Sequence, residues 1–157
     1  MQNDVIAEEP QLVIWQIGTN SVWQGPNDDP PTHEQAIADL RKGIDRLREV
    51  GNIDIVLMDL QYVPAVLAPA TRAQAEAMVS AIAEVSSSTN VNLFQRFEFM
   101  KALHELERIS FDRLVDPTDK DRLHDSDWTT QRLALGLSQI IFDAVDKTPT
   151  QHAAEIS

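Results

Sequence analysis

Cysteine is absent from this chain of 157 residues, and basic residues are scarce: 13 Lys and Arg stand against 25 Asp and Glu, giving a formal net charge of −12. Without cysteine there is no disulfide framework and no thiolate chemistry. The acidic balance disfavours nucleic acid and anionic membranes as partners, because phosphate binding needs clustered Lys and Arg. No apolar run approaches the roughly 18 residues of a membrane span, and the start, Met1–Asp4, does not have the pattern of a signal peptide.

The remaining composition is that of a globular domain. Hydrophobic residues make up 43% of the chain and charged residues 24%. A chain of this length can form one core that buries roughly 70% of the unfolded surface. We predict a single domain over residues 1–147 and a flexible tail over residues 148–157. The sequence does not identify the compartment or the oligomeric state.

Apolar strand-like runs alternate with helical periodicities along the chain. The predicted strands are residues 11–17, 53–58 and 91–94. Thr32 with Gln35, and Thr71 with Gln74, predict capping boxes at the starts of two helices, the first of which ends near Gly51. Two further helices are predicted over about 97–108 and 128–145. Near-continuously apolar strands that alternate with helices predict a parallel sheet covered on both faces.

A charged loop before the last helix contains Asp121-Arg122-Leu123-His124. An Asp three residues before a His can place its carboxylate against the imidazole, where it fixes the tautomer and stabilises the imidazolium. The alternative is a solvated loop with an incidental His, which is the commoner case for such a short motif in isolation.

Gly18-Thr19-Asn20 follows the first predicted strand, at the end where parallel sheets bind ligands. One interpretation is a turn, in which Gly18 supplies unusual backbone angles. The other makes the Asn20 amide a donor to an oxyanion, with Gly18 allowing close approach of the substrate.

Together, these two motifs and the β-α units between them resemble the SGNH/GDSL hydrolases over most of the chain, from about Asp4 to Val145. In that family a Gly-x-Asn block follows the third strand, and an Asp-x-x-His block precedes the C-terminal helix. The resemblance implies a three-layer α/β/α fold with a mostly parallel, flavodoxin-like sheet, of which about three strands and four helices are present. It also implies an ester or acyl hydrolase with a Ser-His-Asp mechanism, acting on a small-molecule or acyl-ester substrate.

Carried over from the family, His124 is the general base and acid, Asp121 orients it, and Asn20 and Gly18 serve the oxyanion and substrate. Ser21 stands where the family usually has Asp after the Asn, which loosens the expected support of Asn20. The family's Gly-Asp-Ser block, which carries the nucleophile, has no counterpart in the sequence. We therefore expect a domain truncated at its N-terminus, without a nucleophile and inactive alone. The alternative is a non-catalytic binding or interaction module on the same scaffold.

Other candidate residues have simpler interpretations. Ser21 and Ser126 are expected to cap or brace loops, and His104 is expected at the surface of a helix. The four His are scattered without ligand spacing, so neither a metal nor a cofactor is expected. Residues 12–17 are expected to form an exposed edge strand through which the chain could self-associate.

Overall fold

The computed structural model describes residues 5–23 and 31–146, and the tail predicted over 148–157 lies outside the described residues. The order of elements is that of an α/β fold. A 3₁₀ turn at Ile6–Glu8 precedes three strands: β1 (Leu12–Gln16), β2 (Asp54–Met58) and β3 (Asn92–Phe94). The helices are α1 (Thr19–Val22), α2 (His33–Val50), α3 (Arg72–Thr89), α4 (Arg96–Glu105), α5 (Phe111–Leu114) and α6 (Asp127–Asp146). No helix in the described ranges is both long and apolar enough to cross a membrane.

The three strands form a parallel sheet in the order β1-β2-β3. Trp15 pairs with Leu57, and Leu57 pairs with Leu93, so the central residues of the strands are in register. Strand β2 is buried at Ile55, Val56 and Leu57, as its continuous apolar run predicts for a central strand. The predicted fold class is therefore confirmed, with three strands and four helices of ten residues or more among the described residues.

The core lies between this sheet and the helices that follow each strand. Helix α2 contributes Leu40, Ile44 and Leu47, all fully buried at three- and four-residue spacing. The other fully buried large side chains include Leu57, Leu60, Met78, Ile82, Met100 and Leu114.

Strand β1 is one of the two edges of the described sheet, because it pairs only with β2. Its side chains alternate in exposure, with Leu12 38% and Ile14 45% exposed and Val13 and Trp15 half-buried. Apolar residues at this position are more exposed than is usual at the centre of a strand. The edge therefore has the exposure that the sequence predicted.

The helix starts agree with the sequence in one case and differ in the other. The capping box at Thr32 forms: its Oγ1 accepts from Gln35 N, and Gln35 Oε1 accepts from Thr32 N. The capping box predicted at Thr71 is wrong, since the Thr71 backbone is helical and its hydroxyl lies within hydrogen-bond distance of the carbonyl oxygens of Ala65, Val66 and Ala68 instead. The hydroxyl stabilises the turn before α3 rather than the first amides of the helix.

Candidate functional site

Polar side chains gather at the carboxyl end of the sheet. Thr19 follows β1, Asp59 and Gln61 follow β2, and Arg96 follows β3. All four are at least 92% buried, with relative exposures of 8%, 0%, 5% and 4% respectively. Parallel strands direct their carboxyl ends to one edge, so three separate sequence segments meet there.

Gln61 connects two of these segments to the loop that carries His124. Its Oε1 accepts a hydrogen bond of 2.8 Å from Thr19 Oγ1, and its Nε2 donates one of 3.2 Å to the carbonyl oxygen of Leu123. Arg96 Nη2 also donates to Gln61 Oε1. A single buried amide therefore uses both its acceptor and its donor to join the end of β1, the start of α4 and the residue before His124.

Arg96 is the cation of this buried cluster. Its Nε donates to the carbonyl of Asp59 at 3.1 Å, and its Nη1 lies 3.5 Å from Asp125 Oδ2. Burial lowers the pKa of Arg96, while Asp125 and Asp59 oppose that shift. Asp125 directly follows His124, so Arg96 holds the chain on one side of the His and Gln61 holds it on the other.

The carboxylate of Asp59 is fully buried, that of Asp125 is mostly buried, and both are incompletely paired. Asp59 Oδ1 accepts from Phe97 N at 2.8 Å. Among the described residues, Asp59 Oδ2 and Asp125 Oδ1 are buried without a hydrogen-bond partner. Burial raises the pKa of Asp59 to about 6, against the lowering effects of the Phe97 amide and Arg96, and burial likewise raises the pKa of Asp125.

His124 extends from this anchored loop into solvent. Its side chain is 72% exposed, while Nδ1 lies 2.9 Å from Asp119 Oδ2. The same carboxylate accepts from the backbone amides of His124 at 2.7 Å and Leu123 at 2.8 Å through Oδ2, and from the amide of Asp121 at 3.0 Å through Oδ1. These hydrogen bonds, led by that of the His124 amide, lower the pKa of Asp119 to about 2. An ionised carboxylate only accepts hydrogen bonds, so Nδ1 carries a proton.

The contact expected between Asp121 and His124 is not the one that the structure has. The Asp121 side chain is exposed, and within the described ranges it has no hydrogen bond to the imidazole. The loop turns through Arg122, whose backbone has a positive φ of 55°, and wraps around the Asp119 carboxylate. Asp119 thereby occupies the position beside Nδ1 that the Asp-x-x-His spacing assigned to Asp121.

Asn20 lies at the same end of the sheet, in the first turn of α1, with its side chain exposed. It lines a cavity of about 280 Å³ together with Gly18, Ser21 and residues of β1 and α2. Asp119 lines a separate cavity of about 250 Å³. The convergence of Asn20 and His124 on one cleft stays a prediction, although Thr19 and Leu123, their preceding neighbours, share Gln61.

Gly18 is buried and adopts a φ of 101°, which side-chain-bearing residues rarely adopt. A Cβ at this position would lie 2.6 Å from Leu60 Cδ1 and 2.8 Å from Met78 Cγ. Packing and backbone conformation are thus sufficient reasons for glycine here, and any contact with a substrate would have to come through its main chain.

The serines and the other candidates have structural partners. Ser126 Oγ donates to Arg113 O at 2.6 Å and accepts from Thr129 N at 3.2 Å, as an N-cap of α6 does. His104 Nδ1 contacts Ile109 O at 2.8 Å, and its ring stacks on Phe111. Within residues 5–23 and 31–146, no three His, Asp or Glu form a group that could hold a metal ion.

Sequence reasoning missed Asp119, Gln61 and Arg96. Asp119 lies five residues before His124, a spacing that no helix or strand periodicity marks. Gln61 lies three residues after the end of β2, and Arg96 lies two residues after the end of β3. Polar residues just beyond the strands were the available signal for a buried network.

Comparison with solved structures identifies the fold. The chain is similar to a catalytic mutant of Axe2, an acetylxylan esterase from Geobacillus stearothermophilus, with a TM-score of 0.74 and 21% identity over 89% of this chain and 63% of that one. It is similar to the acetyl xylan esterase AlAXEase, with a TM-score of 0.72 and 18% identity over 90% and 72% of the two chains. A lipase/acylhydrolase from Enterococcus faecalis matches with a TM-score of 0.66 and 18% identity over 91% and 67%.

No protein-family model and no curated protein matches the sequence. The chain spans 63% of the length of the Axe2 chain, so the activity of a whole esterase does not transfer with the fold. The match does confirm the fold that the resemblance implied: this chain has the α/β fold of these acetylxylan esterases and of the lipase/acylhydrolase.

Proposed function

We propose that this chain is the part of an SGNH-type ester hydrolase that carries the general base. The observation behind the proposal is the imidazole of His124, which is exposed beyond the carboxyl end of the sheet with Nδ1 2.9 Å from a carboxylate oxygen. In the proposed site His124 is the base and acid, and Asn20 donates to the oxyanion. Asp119 orients the imidazole, and Asp121 is the alternative that the family motif favours.

The chemistry follows from the protonation states. With Asp119 ionised and Nδ1 protonated, Nε2 has the free lone pair and takes the proton from a serine hydroxyl as its oxygen attacks the ester carbonyl. The carbonyl electron pair moves to oxygen, and the Asn20 amide stabilises the resulting oxyanion. When the intermediate collapses, the departing alkoxide takes the proton back from Nε2. Water then repeats both steps on the acyl-enzyme, which releases the acid.

The serine of this mechanism is proposed to come from outside the given sequence. Ser126 is committed to Arg113 and Thr129, and Ser21 lies in α1 with no described contact to His124. The acetylxylan esterases among the structural neighbours favour short acyl esters, such as acetylated carbohydrate, as the substrate class.

Hydrolysis of 4-nitrophenyl acetate tests this proposal. This chain alone is expected to show no saturable hydrolysis above a His124→Ala control. If the coding region upstream encodes an in-frame strand followed by Gly-Asp-Ser, the extended chain is expected to be active, and His124→Ala should reduce its kcat by about 10⁶, as loss of a triad base does. Activity of the extended chain that survives His124→Ala would overturn the proposal, and so would a covalent phosphonate adduct on Ser21 or Ser126 of this chain.

Among the described residues, no hydrogen bond joins a serine hydroxyl to the His124 ring, and this also favours a second candidate, a non-catalytic binding module. An upstream region without Gly-Asp-Ser, together with saturable binding of an acetylated oligosaccharide to this chain, would support the module over the enzyme. Isothermal titration of this chain and of its Asn20→Ala variant measures that binding directly.

The identity of the orienting acid has its own test. Nitrogen–proton correlation spectra report which ring nitrogen of His124 carries the proton. Asp119→Asn is expected to change that tautomer population, because the carboxylate that accepts from Nδ1 is lost. Asp121→Asn is the matched control and should leave it unchanged. The reverse result would assign the role to Asp121.

A further inference from the structure

We propose that Gln61 is a positioning residue that couples the Asn20 segment to the His124 loop, and this inference rests on the proposed function of those two residues. Gln61 lies two residues beyond Asp59 and is 5% exposed. It touches neither Asn20 nor His124 in any described hydrogen bond. It holds the residue that directly precedes each of them, through Thr19 Oγ1 at 2.8 Å and Leu123 O at 3.2 Å.

The chemistry of an amide suits this position. Gln61 Oε1 accepts from two donors, the Thr19 hydroxyl and the Arg96 guanidinium, while Nε2 donates to a carbonyl. A carboxylate could accept both hydrogen bonds but could not donate to Leu123 O. An apolar side chain would leave three buried polar groups without this partner, at a large cost in free energy.

Arg96 makes the arrangement rigid from the other side. It is fixed to Asp59 O and to the Gln61 amide, and it reaches Asp125 Oδ2 at 3.5 Å. His124 is therefore flanked by two anchored residues, Leu123 and Asp125. The main chain at His124 is positioned in this way, because the residues on both sides of it make buried contacts although its own ring is exposed to solvent.

Hydrogen exchange and ring NMR of this chain test the coupling. Gln61→Met and Gln61→Glu are both expected to accelerate exchange of the His124 amide proton about 10-fold, since the Leu123 carbonyl loses its donor. Both should also shift the His124 ring nitrogen resonances. The matched control is Ser86→Ala, which removes a 2.6 Å part-buried hydrogen bond to Val91 O just before β3, at the opposite end of the sheet. It should lower the melting temperature without moving either signal.

A second pair of variants separates coupling from general destabilisation. Thr19→Val removes the hydrogen bond from the start of α1 to Gln61, and it should still shift the His124 ring signals although Thr19 lies in another segment. Thr19→Ser keeps the hydroxyl and should restore them. If the His124 signals respond to neither Gln61→Met nor Thr19→Val, or if Ser86→Ala moves them equally, the inference is wrong. Should Gln61→Met fail to fold, the Thr19 pair decides alone.

The outcomes of this experiment and of the esterase assay are independent. If the His124 signals respond to the Gln61 and Thr19 variants but the extended chain is inactive, the positioning role of Gln61 is retained and the hydrolase proposal is rejected. If the extended chain is active and depends on His124 but the His124 signals do not respond to those variants, the hydrolase proposal is retained and the positioning role of Gln61 is rejected.

Discussion

Replacing Gly18 by alanine tests the packing of the junction between β1 and α1. The added Cβ would lie 2.6 Å from Leu60 Cδ1, 2.8 Å from Met78 Cγ and 3.1 Å from Ile82 Cδ1. All three neighbours are fully buried, so they have little room to move. The backbone adds a second cost, because a φ of 101° is strained for any residue with a Cβ.

These two terms set the expected size of the effect. Backbone strain of this kind costs about 1–3 kcal/mol, and overpacking of a filled core costs about 1–3 kcal/mol. Gly18→Ala should therefore lower the free energy of unfolding by about 2–6 kcal/mol, or the melting temperature by roughly 10 °C in a domain of this size. Gly51→Ala is the matched control: its φ of 169° is extended backbone, and no atom lies within 4 Å of the added Cβ. It should be neutral or stabilise by up to about 1 kcal/mol.

Urea unfolding followed by tryptophan fluorescence measures both variants, since the chain has three Trp. Gly18→Ala should lower the transition midpoint at an unchanged slope. If Gly18→Ala and Gly51→Ala unfold at the same urea concentration, the packing described here is incorrect. The glycine of the Gly-x-Asn motif would then need a ligand-based explanation.

Three further predictions concern pH and the sheet edge. Because its pKa is lowered to about 2 in the folded state, ionised Asp119 stabilises the protein above pH 4, and this contribution is lost as pH falls from about 4 to 2. In Asp119→Asn the free energy of unfolding should therefore depend less on pH in that range. The contribution of Asp59 to stability has the opposite pH dependence, because its pKa is raised to about 6. The free energy of unfolding should fall by about 3 kcal/mol as pH rises from about 4 to above 6, and the urea midpoint of Asp59→Asn should not show that fall. The exposed edge at Leu12 and Ile14 should cause association as salt screens the charge of −12, and Ile14→Lys should prevent it; a wild-type monomer at every ionic strength in sedimentation would contradict this.

The fold was predictable because its signals are local and repeat along the chain. The apolar run before Asp59 and the Leu40, Ile44, Leu47 spacing each specify an element without knowledge of its neighbours. The edge position of β1 came from the family's strand order, and the exposure of Ile14 agrees with it. Short elements such as α1 and α5 were missed, since four residues are too few to show a helical period.

The candidate site was predictable only in part, and the acid beside His124 shows why. Asp116, Asp119 and Asp121 all precede His124 within eight residues, so each can reach the imidazole in some conformation of the loop. The choice among them depends on backbone geometry: Arg122 takes a positive φ, and the amides of Asp121, Leu123 and His124 donate to the Asp119 carboxylate. Such a turn has no hydrophobic period to reveal it. The Asp-x-x-His motif therefore indicates the candidate base, His124, but the carboxylate beside it is identified only from the structure.

The same distinction applies to the residues that hold the loop in place. Gln61 donates to a main-chain oxygen 62 positions away, and Arg96 donates to one 37 positions away. Every residue has a main-chain oxygen, so the sequence does not indicate which of them accept these hydrogen bonds. What the sequence does display is an amide and a guanidinium in segments that directly follow strands, where exposure to solvent would be the ordinary expectation. Their burial is the informative fact, because a buried Arg in an otherwise acidic chain must have partners that offset its desolvation. Here those partners are the carboxylates of Asp59 and Asp125 and the side-chain amide of Gln61. Buried charge at this end of the sheet thus has a positional consequence: it fixes the main chain of a residue whose own ring lies in solvent.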